Sequence, residues 1–265
     1  MCRATDLQTA VLAKNDEGAK ELRDALAARG TTLVNLMSSP GSGKTALLEA
    51  ELGLARDRGV PVAALTADLA TENDARRLAR SGVPVRQVLT DGLCHLETDM
   101  LARHLDGWPG HDVRLLFVEN VGNLVCPASY DLGESLRVVL ASVTEGEDKP
   151  LKYPTAFGLA QLVVVTKNDI ADAVEFDREA FLGNVRQVNP GAEVVFTSAR
   201  RGEGVGLLLD RALAVADGAA AHRPVMATRI PLVEDGHAHA HAFGLGHGHP
   251  HTHTHAHPGS AAAVN

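Results

Sequence analysis

Aromatic side chains are scarce in this sequence, 3% of 265 residues, so Leu, Val and Ala must fill any interior it builds. Hydrophobic residues still make up 45% of the chain, enough for a substantial core, and the balance favours an α/β fold over a β-sandwich. Basic runs are absent and the formal charge is −8. Non-specific nucleic-acid binding is thereby excluded, because neutralising phosphates requires a surplus of Lys and Arg on one face. No apolar stretch is long enough to cross a bilayer, so no membrane association is expected. Met1 to Asp6 carry neither the apolar core nor the cleavage site of a signal peptide, and the expected location is the cytoplasm. Cysteine is sparse as well. Cys2, Cys94 and Cys126 are the three in the chain, expected in a reducing compartment as thiols open to metal rather than as disulfides. The residue in excess is histidine, 13 in all, nine of them between His237 and His257.

Leu7, Val11, Leu22 and Leu26 recur at helical spacing and Gly30 follows Arg29 as a C-cap, which predicts a helix over 5–29. Short Val- and Leu-rich runs then occur at 32–37, 62–65, 85–89, 115–118, 138–143, 162–165 and 194–197, most of them separated by helix-forming segments. Uninterrupted apolar strands alternating with helices imply a mostly parallel sheet with helices on both faces. The expected organisation is a helical lead-in at 1–30, an α/β domain at 31–217 and a tail at 218–265. The tail is rich in Ala, Gly, His, Pro and Thr and has little to bury, so it is expected to be disordered.

The run at 32–37 leads directly into Ser38, Ser39, Pro40, Gly41, Ser42, Gly43, Lys44 and Thr45, followed by a helix-forming stretch from Ala46 to Arg56. In a P-loop the glycines let backbone N–H groups turn to the phosphates, the lysine reaches the β- and γ-phosphates, and the hydroxyl binds Mg²⁺. Gly41, Ser42, Gly43, Lys44, Thr45 and Ala46 fill those positions, with Ser38 where the motif usually has Gly. The fold class expected is therefore a P-loop NTPase. The apolar run at 115–118 ends in Glu119, Asn120, Val121 and Gly122. An acidic residue there can hold Mg²⁺ through water or polarise the attacking water, and the Gly122 amide can sense the γ-phosphate. Asp68 is a second candidate for the magnesium shell, or else an N-cap for a helix starting near Thr71. The candidate catalytic set is Lys44, Thr45, Asp68, Glu119 and Gly122. With no arginine finger and no glutamine placed to orient water, slow intrinsic turnover is expected.

Thr166, Lys167, Asn168 and Asp169 close the run at 162–165, and Ser198 and Ala199 follow the last run. These resemble the guanine-specificity loops of GTPases. A carboxylate at Asp169 can accept from both the ring N–H and the exocyclic amine of guanine, whereas adenine would present it an acceptor. GTP and GDP are thus the expected nucleotides, with Thr166, Lys167, Asp169, Ser198 and Ala199 on the base side.

Several segments resemble the hydrogenase nickel-incorporation GTPases, the HypB family. They are Ser38 to Leu48, the Cys94-His95-Leu96 triplet, Glu119 to Ala128, Asp131 to Glu134 and Ser142 to Pro154. The resemblance implies a GTPase that dimerises when GTP is bound and passes nickel toward the hydrogenase large subunit, together with other nickel-insertion accessory proteins. It also implies a metal site at Cys94, His95 and Cys126. Thiolate and imidazole suit Ni²⁺ and Zn²⁺ far better than Mg²⁺ or Ca²⁺. Three ligands from one chain leave a fourth to water or to a second subunit, which fits a site at a dimer interface. Cys126 taken alone would also read as a buried thiol. Cys126 lies four positions after Gly122, so a γ-phosphate acting on Gly122 would move a metal ligand. The N-terminal Cys-x-x-Cys-Gly-Cys nickel site of some members has only Cys2 here.

His237, His239 and His241 form one alternating set, and His247, His249, His251, His253, His255 and His257 another. Several imidazoles on a flexible chain can wrap one Ni²⁺, so storage is the expected role, against the alternatives of a tag or an inert low-complexity tail. The competing readings of the whole chain are a urease-type nickel accessory GTPase, a metal-storage protein with incidental GTPase activity, and a small-molecule kinase.

Overall fold

The computed structural model describes residues 2–68, 73–90, 92–108, 110 and 112–228, with side chains from residue 10 onward. Helix α1 (Cys2–Ala28) realises the expected lead-in. Its end is capped by Gly30 at φ +72°, where the N–H groups of Gly30 and Thr31 donate to Ala27 and Leu26.

All seven expected strands form: β1 (Thr32–Ser38), β2 (Val62–Asp68), β3 (Val85–Leu89), β4 (Leu115–Gly122), β5 (Leu136–Ser142), β6 (Leu162–Thr166) and β7 (Glu193–Phe196). They pair in parallel as one sheet in the order β3-β2-β4-β1-β5-β6-β7. The intervening helices are α2 (Lys44–Asp57), α3 (Asn73–Ala79), α4 (Thr98–Leu105), α5 (Lys149–Lys152), α6 (Pro154–Gly158), α7 (Arg178–Val188) and α8 (Leu207–Ala216). The strands are apolar on both sides because both sides are covered. Val34, Leu36, Phe117 and Val138 pack under α2 and α8, while alternate residues such as Leu33, Val118 and Val139 meet α1, α4, α6 and α7 on the opposite face.

One strand departs from expectation in a way that matters. β4 continues four residues beyond 118, because Glu119 pairs with Leu36 and Gly122 with Ser38 across a register shift. Glu119 and Gly122 are therefore positioned by the sheet itself. Val143 instead starts a short 3₁₀ turn, closed by a capping box between Ser142 and Glu145, and Thr197 lies just outside β7.

Candidate functional site

The carboxyl ends of β1, β2 and β4 open onto a cleft of about 470 Å³, floored by Ser39 to Ala46 and walled by Asp68 and Gly122. Gly41 and Gly43 sit at φ +74° and +93°, backbone that side-chain-bearing residues rarely adopt, and this turns the loop into the start of α2. Lys44 is buried and donates from Nζ to the Asn120 carbonyl at 2.6 Å, with Glu119 Oε1 3.4 Å away. Thr45 Oγ1 donates to the same Glu119 oxygen at 2.6 Å. Glu119 is almost wholly buried, and its Oε2 has no hydrogen-bond partner among the described residues. A hydroxyl, a carboxylate with a spare buried oxygen and Asp68 at the cleft wall form a hard oxygen donor set, which fits Mg²⁺. Gly122 packs against the phosphate loop: a Cβ there would stand 3.2–3.3 Å from Pro40. Ala46 lines the same cleft, as do Asp74 and Arg77, which sequence reasoning did not single out.

The base-side residues are tied to this loop. Thr166 Oγ1 donates to the Ser42 carbonyl, and Lys167 Nζ donates to the Gly41 carbonyl at 2.8 Å. Lys167 holds a left-handed φ of +57°, unusual for a side-chain-bearing residue and held by its clamp on the phosphate loop. Ser198 Oγ donates to Asp169 Oδ1 at 2.7 Å, so the two loops that sequence order separates meet side by side, with Ala199 next in the chain. That hydrogen bond holds the partly buried Asp169 carboxyl below its ordinary 3.8. Lys44 and Lys167 belong to motifs the sequence shows, whereas their contacts with the carbonyls of Asn120 and Gly41 were not legible there.

Cys94, His95 and Cys126 come together from segments 32 positions apart in the chain, as their numbers show, with ligand atoms all within 4.8 Å of one another. Cys94 Sγ lies 3.8 Å from His95 Nδ1. Ligands of a tetrahedral ion with bonds of 2.0–2.3 Å stand about 3.5–3.8 Å apart, so little closure is needed to grip one. Cys94 reaches solvent, Cys126 is half-buried and His95 is buried. Hydrogen bonding with Cys126, then burial, pushes the Cys94 thiol above its usual 9.0. His95 stacks on Tyr130 at 4.0 Å between ring centres, and its Nε2 faces Glu97 Oε1 at 3.4 Å. Neither Tyr130 nor Glu97 was singled out in the sequence; Glu97, two residues beyond His95, was the detectable signal. Cys2 and the nine tail histidines from His237 to His257 lie outside the side chains described here.

Strand, glycine-rich loop and helix, with Lys44 and Thr45 facing Glu119 and Asp169 beside Ser198, define a P-loop nucleotide-binding protein that also carries a cluster of two thiols and one imidazole suited to a soft metal ion. Residues 32–196 match the CobW/HypB/UreG nucleotide-binding domain. The chain is 47% identical over 204 residues to the hydrogenase maturation factor HypB of Azotobacter chroococcum, covering 77% of this chain and 67% of that one. It is 46% identical over 203 residues to the HypB of Escherichia coli K12, covering 77% and 70%. The crystal structure of HypB from Helicobacter pylori in complex with nickel superposes with a TM-score of 0.72 at 36% identity, over 77% of this chain and 95% of that one. This chain belongs to the HypB family of hydrogenase maturation factors.

Proposed function

We propose that the protein is a GTP-hydrolysing nickel metallochaperone for hydrogenase maturation, in which the nucleotide gates the Cys94, His95 and Cys126 site. The observation that carries this reading is the continuity of the two sites. Gly122 touches the phosphate loop at Pro40, and four residues on, Cys126 is a ligand of the cluster. Asn123 Nδ2 also reaches the Cys94 carbonyl at 3.4 Å, tying the connecting segment to the other ligand-bearing loop.

In the hydrolysis step, Lys44 exchanges the Asn120 carbonyl for the β- and γ-phosphates, and backbone N–H groups of Gly41 to Ala46 cradle them. Asp169 selects guanine, and Lys167 keeps the base side in register with the phosphate loop. Thr45, Asp68 and Glu119 would hold Mg²⁺, which supplies charge neutralisation on the phosphates. Glu119 is oriented by the Thr45 hydroxyl, and the Gly122 amide reports the γ-phosphate. Turnover is slow: Arg77, the arginine that lines the cleft among the described residues, is paired with Glu49 at 2.9 Å and so is not free to act as a finger.

Nickel is the cargo. The three ligands of one chain leave a fourth position, and exposed apolar Leu93 and Val125, 42% and 63% accessible beside Cys94 and Cys126, support completion of the site by a second copy in a GTP-dependent homodimer. Zn²⁺ suits the same ligands. The alternating histidines from His237 to His257 would act as a nickel store, and the downstream partners are the hydrogenase large subunit and other nickel-insertion accessory proteins.

Hydrogenase activity in cells that depend on this chain tests the assignment. Cys126→Ala is expected to abolish maturation at limiting nickel, whereas deleting residues 236–265 lowers stored nickel and leaves maturation intact at ample nickel. Maturation that survives Cys126→Ala but fails without the tail would make the protein a store.

A further inference from the structure

The sheet face beneath α1, α4, α6 and α7 is not continuously apolar. Its packing divides into one cluster around Leu33, Leu65 and Val118 and another around Met37, Val139 and Val165. On β1, between Leu33 and Met37, stands Asn35, fully buried and directly opposite Arg137 of β5 in the ladder. Asn35 Oδ1 accepts from Asn120 Nδ2 at 3.4 Å, and Asn35 Nδ2 donates to Glu134 Oε1 at 3.5 Å. Arg137 Nε donates to the same Glu134 oxygen at 2.5 Å, while its Nη1 and Nη2 donate to the carbonyls of Ala128 at 3.2 Å and Tyr130 at 3.0 Å. Burial opposes the Arg137 charge, and Glu134 beside it more than restores it.

This polar row has two functional ends. At one, the Asn120 carbonyl receives Lys44 Nζ at 2.6 Å. At the other, Arg137 grips the 3₁₀ turn Pro127–Ser129 that follows Cys126, and the next residue, Tyr130, stacks on His95. Replacing a buried ion pair by well-packed apolar side chains is commonly neutral or stabilising, so packing alone does not account for a charged row across a sheet face.

We propose that Asn35, Glu134 and Arg137 are positioning residues that carry the state of the phosphate site across the sheet to the metal cluster, by a route separate from residues 122–126. The proposal rests on the reading that GTP gates the cluster. When Lys44 exchanges the Asn120 carbonyl for phosphate, Asn120 resets against Asn35. The Glu134–Arg137 pair then passes that shift to the carbonyls of Ala128 and Tyr130, and so to Cys126 and the ring against His95.

The test uses the full chain and nickel alone. Affinity is read from thiolate-to-nickel charge-transfer absorption, which tail imidazoles do not give, with GDP and with a non-hydrolysable GTP analogue. Wild type is expected to bind nickel more tightly with the analogue, within the roughly 5- to 150-fold range of linked sites. Asn35→Leu, close to Asn in size, should lower that ratio by about threefold or more while leaving nickel affinity with GDP unchanged, the remaining coupling being carried by residues 122–126. Glu134→Leu combined with Arg137→Met removes the ion pair as a unit and provides a second variant with the same expected outcome. A purely structural row would weaken nickel binding equally in both nucleotide states and preserve the ratio, which overturns the proposal. A ratio of one already in wild type overturns the gating reading and the proposal with it. The wild-type ratio retained in both variants overturns the proposal alone.

Discussion

Asp169 accepts from Ser198 Oγ at 2.7 Å, and that bond keeps its carboxyl ionised at and somewhat below its ordinary 3.8. The proposed guanine choice would therefore rest on an acceptor that stays charged through the whole neutral range. Asp169→Asn replaces one acceptor by an N–H donor, which suits the extra carbonyl of xanthine. GTP affinity should fall roughly 10- to 150-fold, the worth of hydrogen bonds to a charged group, and XTP affinity should rise. Unchanged nucleotide preference in competition binding would contradict this role. At Gly122, an added methyl would meet Pro40 at 3.2–3.3 Å, so the phosphate loop must yield by a few tenths of an ångström. Gly122→Ala is expected to slow GTP hydrolysis more than it weakens GDP binding. Equal effects on both would leave Gly122 without a γ-phosphate role. These two residues were legible in the sequence because each belongs to a short local pattern with its own chemistry. Asn15, Asn35 and Arg137 were not: Asn15 Nδ2 donates to the carbonyl of Asp131, 116 positions away, and only folding reveals such a pairing.

At the scale of elements, the phosphate helix and the last helix are joined by one buried carboxylate. Glu51 of α2 accepts from the N–H groups of Gly206 at 2.9 Å and Leu209 at 3.2 Å, satisfying the amino end of α8. Glu51→Ala leaves those donors unpaired inside the core and should lower stability by about 1–3 kcal/mol. Burial, the dominant influence, pushes the Glu51 carboxyl above 4.5 despite the N–H groups of Gly206, Leu209 and Leu208 that pull it down. A carboxyl raised on folding stabilises the fold where it is protonated, fully below its unfolded value, and that contribution is lost as pH rises through the folded one. Wild type should therefore gain thermal stability relative to Glu51→Gln as pH falls toward 4.5, and a difference that is flat with pH would contradict the assignment. The strands were legible as apolar runs because both faces of a parallel sheet are buried. The extension of β4 to Gly122 was not, since Glu119 and Asn120 break the apolar run and are held there by pairing with β1 and by side-chain partners Thr45 on α2 and Asn35 on β1. Sheet order was likewise beyond the pattern, because adjacency of β4 and β5 to β1 depends on long-range pairing.

Across the molecule, the order β2-β4-β1-β5-β6 gathers the phosphate loop, Glu119, Gly122 and the loop from Thr166 to Asp169 at the carboxyl end of the sheet, outside the strand ends where α/β proteins bind ligands. Cys126 follows β4 closely while Cys94 and His95 lie between β3 and α4, so β4 joins the phosphate cleft to one member of the thiol and imidazole cluster. If GTP strengthens nickel binding, nickel must strengthen GTP binding by the same factor. The most direct measurement is therefore the affinity of the full chain for a non-hydrolysable GTP analogue and for GDP, each with and without saturating nickel, in wild type and in Cys126→Ala. The account predicts that nickel tightens the analogue but not GDP in wild type, and neither in Cys126→Ala. Identical analogue affinity with and without nickel in wild type would contradict it.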